Sequence, residues 1–276
     1  MGASGSTSVR RRRSSQASPL RARRTTISPT RNARRVAALY DVHGNLPALE
    51  AVLAEAGDAQ LVFGGDLAAG PMPAETLDRI MALDARVLRG NADRALLEEP
   101  EGGLIDQWVI DQLDDRHREY IAALPEQIEL DVDGLGRVLF CHGSPRSDEE
   151  MILKTTPDDW LLEMLDGLET GVVVCGHTHM QFDRRVDRWR VVNAGSVGLA
   201  YGGPGAHWAM LGPTVEHRQT PYDNEAFADY VQTLEWSIAE RFAEENIRNF
   251  PSEQEVLEFF EPLAAEQHAQ RYPGRS

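Results

Sequence analysis

The 276-residue sequence holds only two cysteines, no run of 18 or more apolar residues, and no acidic residue among its first 35 positions. Each shortage excludes something. Two cysteines, Cys141 and Cys175, are too few for a disulfide framework, and a chain of this length can bury a core without one. Both end apolar runs, where a free thiol packs as a small hydrophobe, so a reducing cytoplasm is the expected location. Without a long apolar run no segment is expected to span a membrane. No internal repeat is visible.

The first 35 residues carry ten arginines among serines and threonines, with almost no apolar content. They cannot bury enough surface to offset chain entropy, so residues 1–35 are expected to form a disordered tail. The arginines at 10–13 hint at a twin-arginine export signal, but the apolar stretch such a signal requires does not follow. An organellar transit peptide, or an arm contacting nucleic acid or membrane, remains an alternative to a flexible tail. All 44 acidic residues lie beyond it against 18 basic ones, a net charge near −26. Such a body repels polyanions unless metal ions invert the field locally, which disfavours nucleic acid as a partner.

What is present is 42% apolar content, enough for one sizeable core plus appendages. Residues 35–40 read as a buried strand, followed by a helix carrying Leu49, Val52, Leu53 and Ala56 at helical spacing. A strand at 60–63, a helix opened by Pro71 and Pro73, and a strand at 86–88 complete a β-α-β-α-β pattern, which implies a parallel sheet. Residues 104–123 read as one helix. Strands at 127–131, 136–140, 171–174, 189–192, 206–211 and 215–219 suggest a second, mixed or antiparallel sheet. From 223 to the end the pattern is helical, broken at Pro251 and restarted by the capping box Ser252-Glu253-Gln254-Glu255. It reads as a helical hairpin that packs on the body or joins two copies in a homo-oligomer.

The chemistry-bearing residues all fall where a strand stops. Asp41-Val42-His43-Gly44-Asn45, Gly64-Gly65-Asp66, Gly90-Asn91-Ala92-Asp93, Phe140-Cys141-His142-Gly143 and Gly176-His177-Thr178-His179 each follow an apolar run. Ligands of α/β sheets bind beyond the carboxyl ends of strands. Asp41, His43, Asp66, Asn91, His142, His177 and His179 offer oxygen and imidazole donors with no thiolate, a set suited to borderline divalent ions. The two-residue spacings of Asp41/His43 and His177/His179 put each pair on one face of extended backbone. Asp66 is the natural carboxylate to bridge two ions.

These five motifs in this order resemble the calcineurin-like metallophosphoesterase superfamily, closest to its small bacterial phosphodiesterase branch. The likeness covers about residues 35–222 and includes the stretch from Gly65-Asp66-Leu67 to Gly70-Pro71 and the segment Asn193-Ala194-Gly195-Ser196-Val197-Gly198. It implies an α/β fold of two packed mixed β-sheets flanked by helices, an α/β/β/α sandwich. It implies two divalent metal ions, with Mn first and Fe, Ni or Zn as alternatives. Asp41, His43, Asp66 and His179 would hold one ion, and Asp66, Asn91, His142 and His177 the other. Asp66, Asn91 and His142 are the expected catalytic residues, and a hydroxide bridging both ions would attack the phosphorus of a small phosphoester. Many members carry histidine after the asparagine of the third motif, where it helps the leaving group depart; this chain has Ala92. The gap and the branch likeness favour a phosphodiesterase over a phosphomonoesterase. A metal-binding interaction scaffold and a nuclease using the basic arm are the rival readings.

Several residues keep two readings. Arg94 is either a guanidinium clamp for phosphate, as Asn91 is a contact for it, or a structural ion pair. His207 and Tyr201 sit in or beside a glycine-rich stretch that either shapes the pocket or simply turns. Asp93 ordinarily orients the missing histidine, so its role is open. Asn193 and Ser196 are expected to tie down loops, Tyr40 to pack, and His117 and His217 to be solvated.

Overall fold

Alternation along the first strand explains the layers. In β1 (Val36–Leu39), Ala37 and Leu39 enter one apolar cluster, while Val36, Ala38 and the following Tyr40 enter another. A strand buried on both faces needs a layer on each side. The structure, a computed structural model, describes residues 35–98 and 107–271. The expected tail therefore lies, Arg35 apart, outside the described residues, as does Leu104.

After α1 (Leu46–Ala56), β2 (Gln60–Gly64) pairs with β1 in parallel; after α2 (Pro73–Met81), β3 (Ala85–Leu88) pairs likewise with β2. Helices α3 (Asn91–Glu98), α4 (Gln107–Asp111) and α5 (Asp115–Ala123) follow. The second sheet uses β4 (Gln127–Val132), β5 (Gly136–Cys141), β6 (Val172–Cys175), β7 (Phe182–Val186) and β8 (Trp189–Asn193), with α6 (Asp158–Leu165) between β5 and β6. Its order is β4-β5-β6-β8-β7, with β5, β6 and β8 parallel and both edges antiparallel. Strands β9 (Ala206–Leu211) and β10 (Val215–Thr220) return to the first sheet, giving β10-β9-β1-β2-β3. Two mixed five-stranded sheets flanked by helices form the α/β/β/α sandwich.

Val138, Phe140, Val172, Val174 and Val192 face β1 across the inter-sheet core, and Leu139, Cys141, Val173 and Cys175 face outward against Leu161, Met164 and Leu165 of α6. Tyr40 spans the inner layer and donates its hydroxyl to the Val174 carbonyl at 2.9 Å.

The structure departs from the sequence expectation in several places. The helix expected over 104–123 is two helices, because Asp114 caps α5: its side chain accepts from the His117 amide while the His117 ring accepts from the Asp114 amide. The cap buries His117, which lies 3.0 Å from Asp78, rather than leaving it solvated. His217 is half-buried, with Nε2 3.0 Å from the Asn193 carbonyl. β9 and β10 join the first sheet: all six residues of β9 are buried, as a strand beside β1 must be, but nothing local names its neighbour.

The C-terminal helices fall into two packing groups rather than one hairpin. α7 (Asn224–Gln232) and α8 (Ala239–Ala243), continued by a π-turn at Glu244–Arg248, send Phe227, Val231, Trp236, Ala243 and Ile247 into the outer cluster of the first sheet. α9 (Glu253–Arg271) instead seats Val256, Leu257, Phe260 and Ala264 against Leu153, Met180 and Tyr201. No helix among the described residues is long and apolar enough to cross a membrane.

Candidate metal centre

Five parallel strands end at one place. Asp41 and His43 follow β1, Asp66 follows β2, Asn91 opens α3 after β3, His142 follows β5, and His177 and His179 follow β6. Among the described residues six non-glycines have φ in the left-handed region, and five are Asp41 (54°), His43 (47°), Asp66 (54°), His177 (66°) and His179 (57°). Each such residue costs about 1 kcal/mol or more, strain that persists only where surrounding contacts enforce it. Glycines make room: a Cβ on Gly90 would overlap Asp66 Oδ1, and one on Gly176 would stand 2.5 Å from Asp41 Oδ2.

The ligand atoms converge in two groups, Asp41–His43–His179 and Asp66–His142–His177, each within 4.8 Å. His179 Nε2 is 3.5 Å and His43 Nε2 4.0 Å from Asp41 Oδ1. His142 Nε2 is 3.3 Å from Asp66 Oδ2 and 2.9 Å from Asn91 Oδ1. Asp66 Oδ2 also lies 3.8 Å from His43 Nε2, between the groups.

Backbone carbonyls orient the rings. His43 Nδ1 faces the Ala69 carbonyl at 3.2 Å, His179 Nδ1 that of Leu199 at 2.8 Å, and His142 Nδ1 that of Gly64 at 2.8 Å. Each carbonyl needs an Nδ1–H, which leaves Nε2 as the nitrogen aimed inward. His177 is reversed: Nε2 faces the Glu149 carbonyl at 3.2 Å, leaving Nδ1.

This arrangement fits a cation. His43 Nε2 and His179 Nε2 stand 3.2 Å apart, and Asp41 Oδ1 beside them is buried with no hydrogen-bond partner. Converging lone pairs and an orphaned carboxylate oxygen call for positive charge between them. The field agrees. Burial opposes charge on His142, but Asp66 and Asp41 outweigh it and push the ring up to about 10. Burial, then His142, pulls His177 down to about 4. Burial, then His179, lowers His43. Burial would raise Asp66, but His142 holds it well below the usual carboxylate range.

The remaining candidates fall into place around this centre. Ala92 is buried and donates its amide to Asp66 Oδ1 at 2.8 Å, at the start of α3. Arg94 is engaged by acids: Nε donates to Asp148 at 2.8 Å, one terminal nitrogen to Glu149 at 2.6 Å, the other to Glu98 at 3.0 Å. His207, on the inward-facing side of β9, is buried and joins neither triad. Asn193 donates to the Gly176 carbonyl and to Thr178, and Ser196 to the Asp41 carbonyl, so both tie down ligand loops. Three roles were not legible in the sequence: the Asp93 carboxylate grips backbone amides, the Glu149 carbonyl orients His177, and Tyr201 stacks on His179 at 5.2 Å between centroids. Asp93, the acid at the end of a candidate ligand motif, and Tyr201, in the glycine-rich stretch, stood out in the sequence without these roles, and Glu149 did not stand out.

Paired mixed sheets whose parallel strands end in two imidazole–carboxylate clusters define a metal-dependent hydrolase of the metallophosphoesterase class. The family model for the calcineurin-like phosphoesterase superfamily domain matches residues 35–214, more than half of the chain, and the chain belongs to that superfamily. Members bind two divalent metals, and this chain carries two clusters of residues that could hold such ions. A metallophosphoesterase from Sphaerobacter thermophilus is similar at 26% identity and a TM-score of 0.63, with 77% of this chain and 99% of that one covered. A hypothetical protein from Pyrococcus horikoshii OT3 is similar at 20% identity and a TM-score of 0.66, covering 78% and 99%. No curated protein matches the sequence.

Proposed function

We propose that the protein hydrolyses small phosphodiesters in the cytoplasm at a dinuclear manganese centre. The observation that carries the reading is the position of Asp66 Oδ2, 3.3 Å from His142 Nε2 in its own triad and 3.8 Å from His43 Nε2 in the other. Asp41, His43, Asp66 and His179 would hold one ion, and Asp66, Asn91, His142 and His177 the other. The donors are oxygen and imidazole nitrogen, which suits Mn and admits Fe, Ni or Zn; the thiols of Cys141 and Cys175 face the outer core. Two divalent ions held by these residues would polarise phosphoryl oxygens and bring the pKa of water to about 7.

The chain's own residues favour a diester. Ala92 places no proton donor on the leaving-group side, a loss that typically costs about 10²–10⁴ in rate and least where the leaving group is good. Arg94, held by Asp148, Glu149 and Glu98, has its charge neutralised locally and does little to balance the second charge of a monoester. A singly charged diester asks less of the site.

The test compares turnover of bis-p-nitrophenyl phosphate and p-nitrophenyl phosphate with added Mn. Faster diester turnover, abolished by Asp66→Asn and His142→Ala, is expected. A strong monoester preference would overturn the substrate class. Bound metal without turnover of either ester would replace the enzyme reading with a binding scaffold.

A further inference from the structure

Helix α9 lies beyond the residues that match the superfamily domain, yet it touches the metal centre twice. Gln267 Nε2 donates to the Glu149 carbonyl at 2.9 Å, and its Oε1 accepts the Met151 amide at 3.1 Å. That same Glu149 carbonyl faces His177 Nε2 at 3.2 Å. One side-chain amide thus fixes the segment whose carbonyl turns His177 Nδ1 toward the ligands. Two turns earlier on the same face, Phe260 packs on Tyr201 with centroids 6.3 Å apart, and Tyr201 stacks on His179 at 5.2 Å. His177 belongs to one ligand triad and His179 to the other.

Of the nineteen residues of α9 only Val256 and His268 are buried, with Leu257, Phe260 and Ala264 partly so. Val256 packs on Leu153 and Met180, which flank the same two loops. The helix also stacks His268 on Trp160 of α6, but Gln267, Phe260 and Val256 all meet residues beside the ligand loops.

We infer that α9 is part of the metal centre, with Gln267 a positioning residue for His177 and Phe260, through Tyr201, a positioning residue for His179. The inference rests on the dinuclear reading above. A group that orients a metal-ligating histidine typically changes metal affinity by about 10–100-fold.

The experiment is stepwise titration of the metal-stripped full chain with Mn by calorimetry, alongside thermal melting without metal. Gln267→Met should weaken one binding step by about 10–100-fold and leave the other within about threefold. Phe260→Ala should weaken the other step, and Phe260→Trp should restore it. Gln267→Glu, which keeps the shape and the acceptor but loses the donor, repeats the test should the methionine variant not fold. Wild-type affinities in both variants would overturn the inference, as would equal weakening of both steps together with a fall in the metal-free melting temperature. A wild-type chain that binds fewer than two ions would instead bring down the dinuclear reading, and this inference with it.

Discussion

The carboxylate of Asp93 accepts the backbone amide of Asp66 at 2.7 Å, so one acidic residue holds another from behind. Asp93 also takes the amides of Leu67 at 2.9 Å and Gly90 at 3.0 Å, stapling the loop after β2 to the loop after β3. Asp66 can then keep its left-handed backbone with its side chain aimed between the triads. Burial, and then the charge of Asp66, pushes the Asp93 carboxyl up to about 7, against the pull of the Gly90 and Leu67 amides.

Replacing Asp93 by asparagine turns one acceptor into an N–H that must meet another N–H. Asp93→Asn should lower stability by about 2–4 kcal/mol, given about 1.5–3 for bonds to charged groups and the cost of an unpaired buried amide. It should also weaken metal retention about 10–100-fold by loosening Asp66. Thermal melting and metal content after dialysis measure both; a variant indistinguishable from wild type would remove the clamp from the account.

Arg94 gives a prediction that separates its two readings. With Asp148, Glu149 and Glu98 around it and a side chain about one-quarter exposed, it joins α3 to the loop after β5. Arg94→Leu should cost only about 1 kcal/mol, since partly exposed pairs are screened. KM for an aryl diester should stay within about twofold. A KM rise of tenfold or more with unchanged melting would make Arg94 a substrate clamp.

The residues that converge in the two candidate clusters, and Asn91 beside them, could be singled out because they follow strands and sit beside glycines, a local pattern. Five of the seven also adopt left-handed backbone, which no residue type announces: Asp and His tolerate φ > 0 but do not require it. The parallel pairing of β1, β2 and β3 followed from β-α-β-α-β, but the return of β9 to β1 did not, because non-local pairing is set by which buried edge is open. β7 escaped notice because Asp183, Arg184 and Arg185 interrupt its apolar ends, as befits an edge strand. Gln267 could not be found from the sequence at all: a glutamine on a polar helix becomes informative only when the Glu149 carbonyl is opposite it.

His207 predicts an acid limb in stability. It is buried, its Nε2 has no hydrogen-bond partner, and burial pulls its pKa down to about 4. An unfolded histidine titrates near 6.5, so between about 6.5 and 4 the unfolded chain binds the extra proton. The contribution of His207 is therefore harmless above about pH 6.5 and turns increasingly destabilising as pH falls toward 4. His207→Leu should flatten that limb in urea unfolding measured from pH 7 to 4.5, while leaving the pH 7 value nearer to wild type. An unchanged slope would mean that His207 is solvated before unfolding.

The clearest outcome concerns the metals themselves. His43 Nε2 and His179 Nε2, 3.2 Å apart, and the unpartnered Asp41 Oδ1 form a cluster that a cation stabilises and bare lone pairs do not. Ions that bind only the folded chain add stability by mass action, about 2.7 kcal/mol per site at a hundredfold excess over Kd. Two sites would then raise the melting temperature by roughly 10 °C or more, at about 2–4 °C per kcal/mol for a chain approaching this size. EDTA should reverse the shift. His43→Ala should keep only the part due to the Asp66–His142–His177 group, because it removes a ligand from the other. A melting curve indifferent to Mn and EDTA would mean that the two triads do not hold metal, and with that the hydrolytic reading would fall.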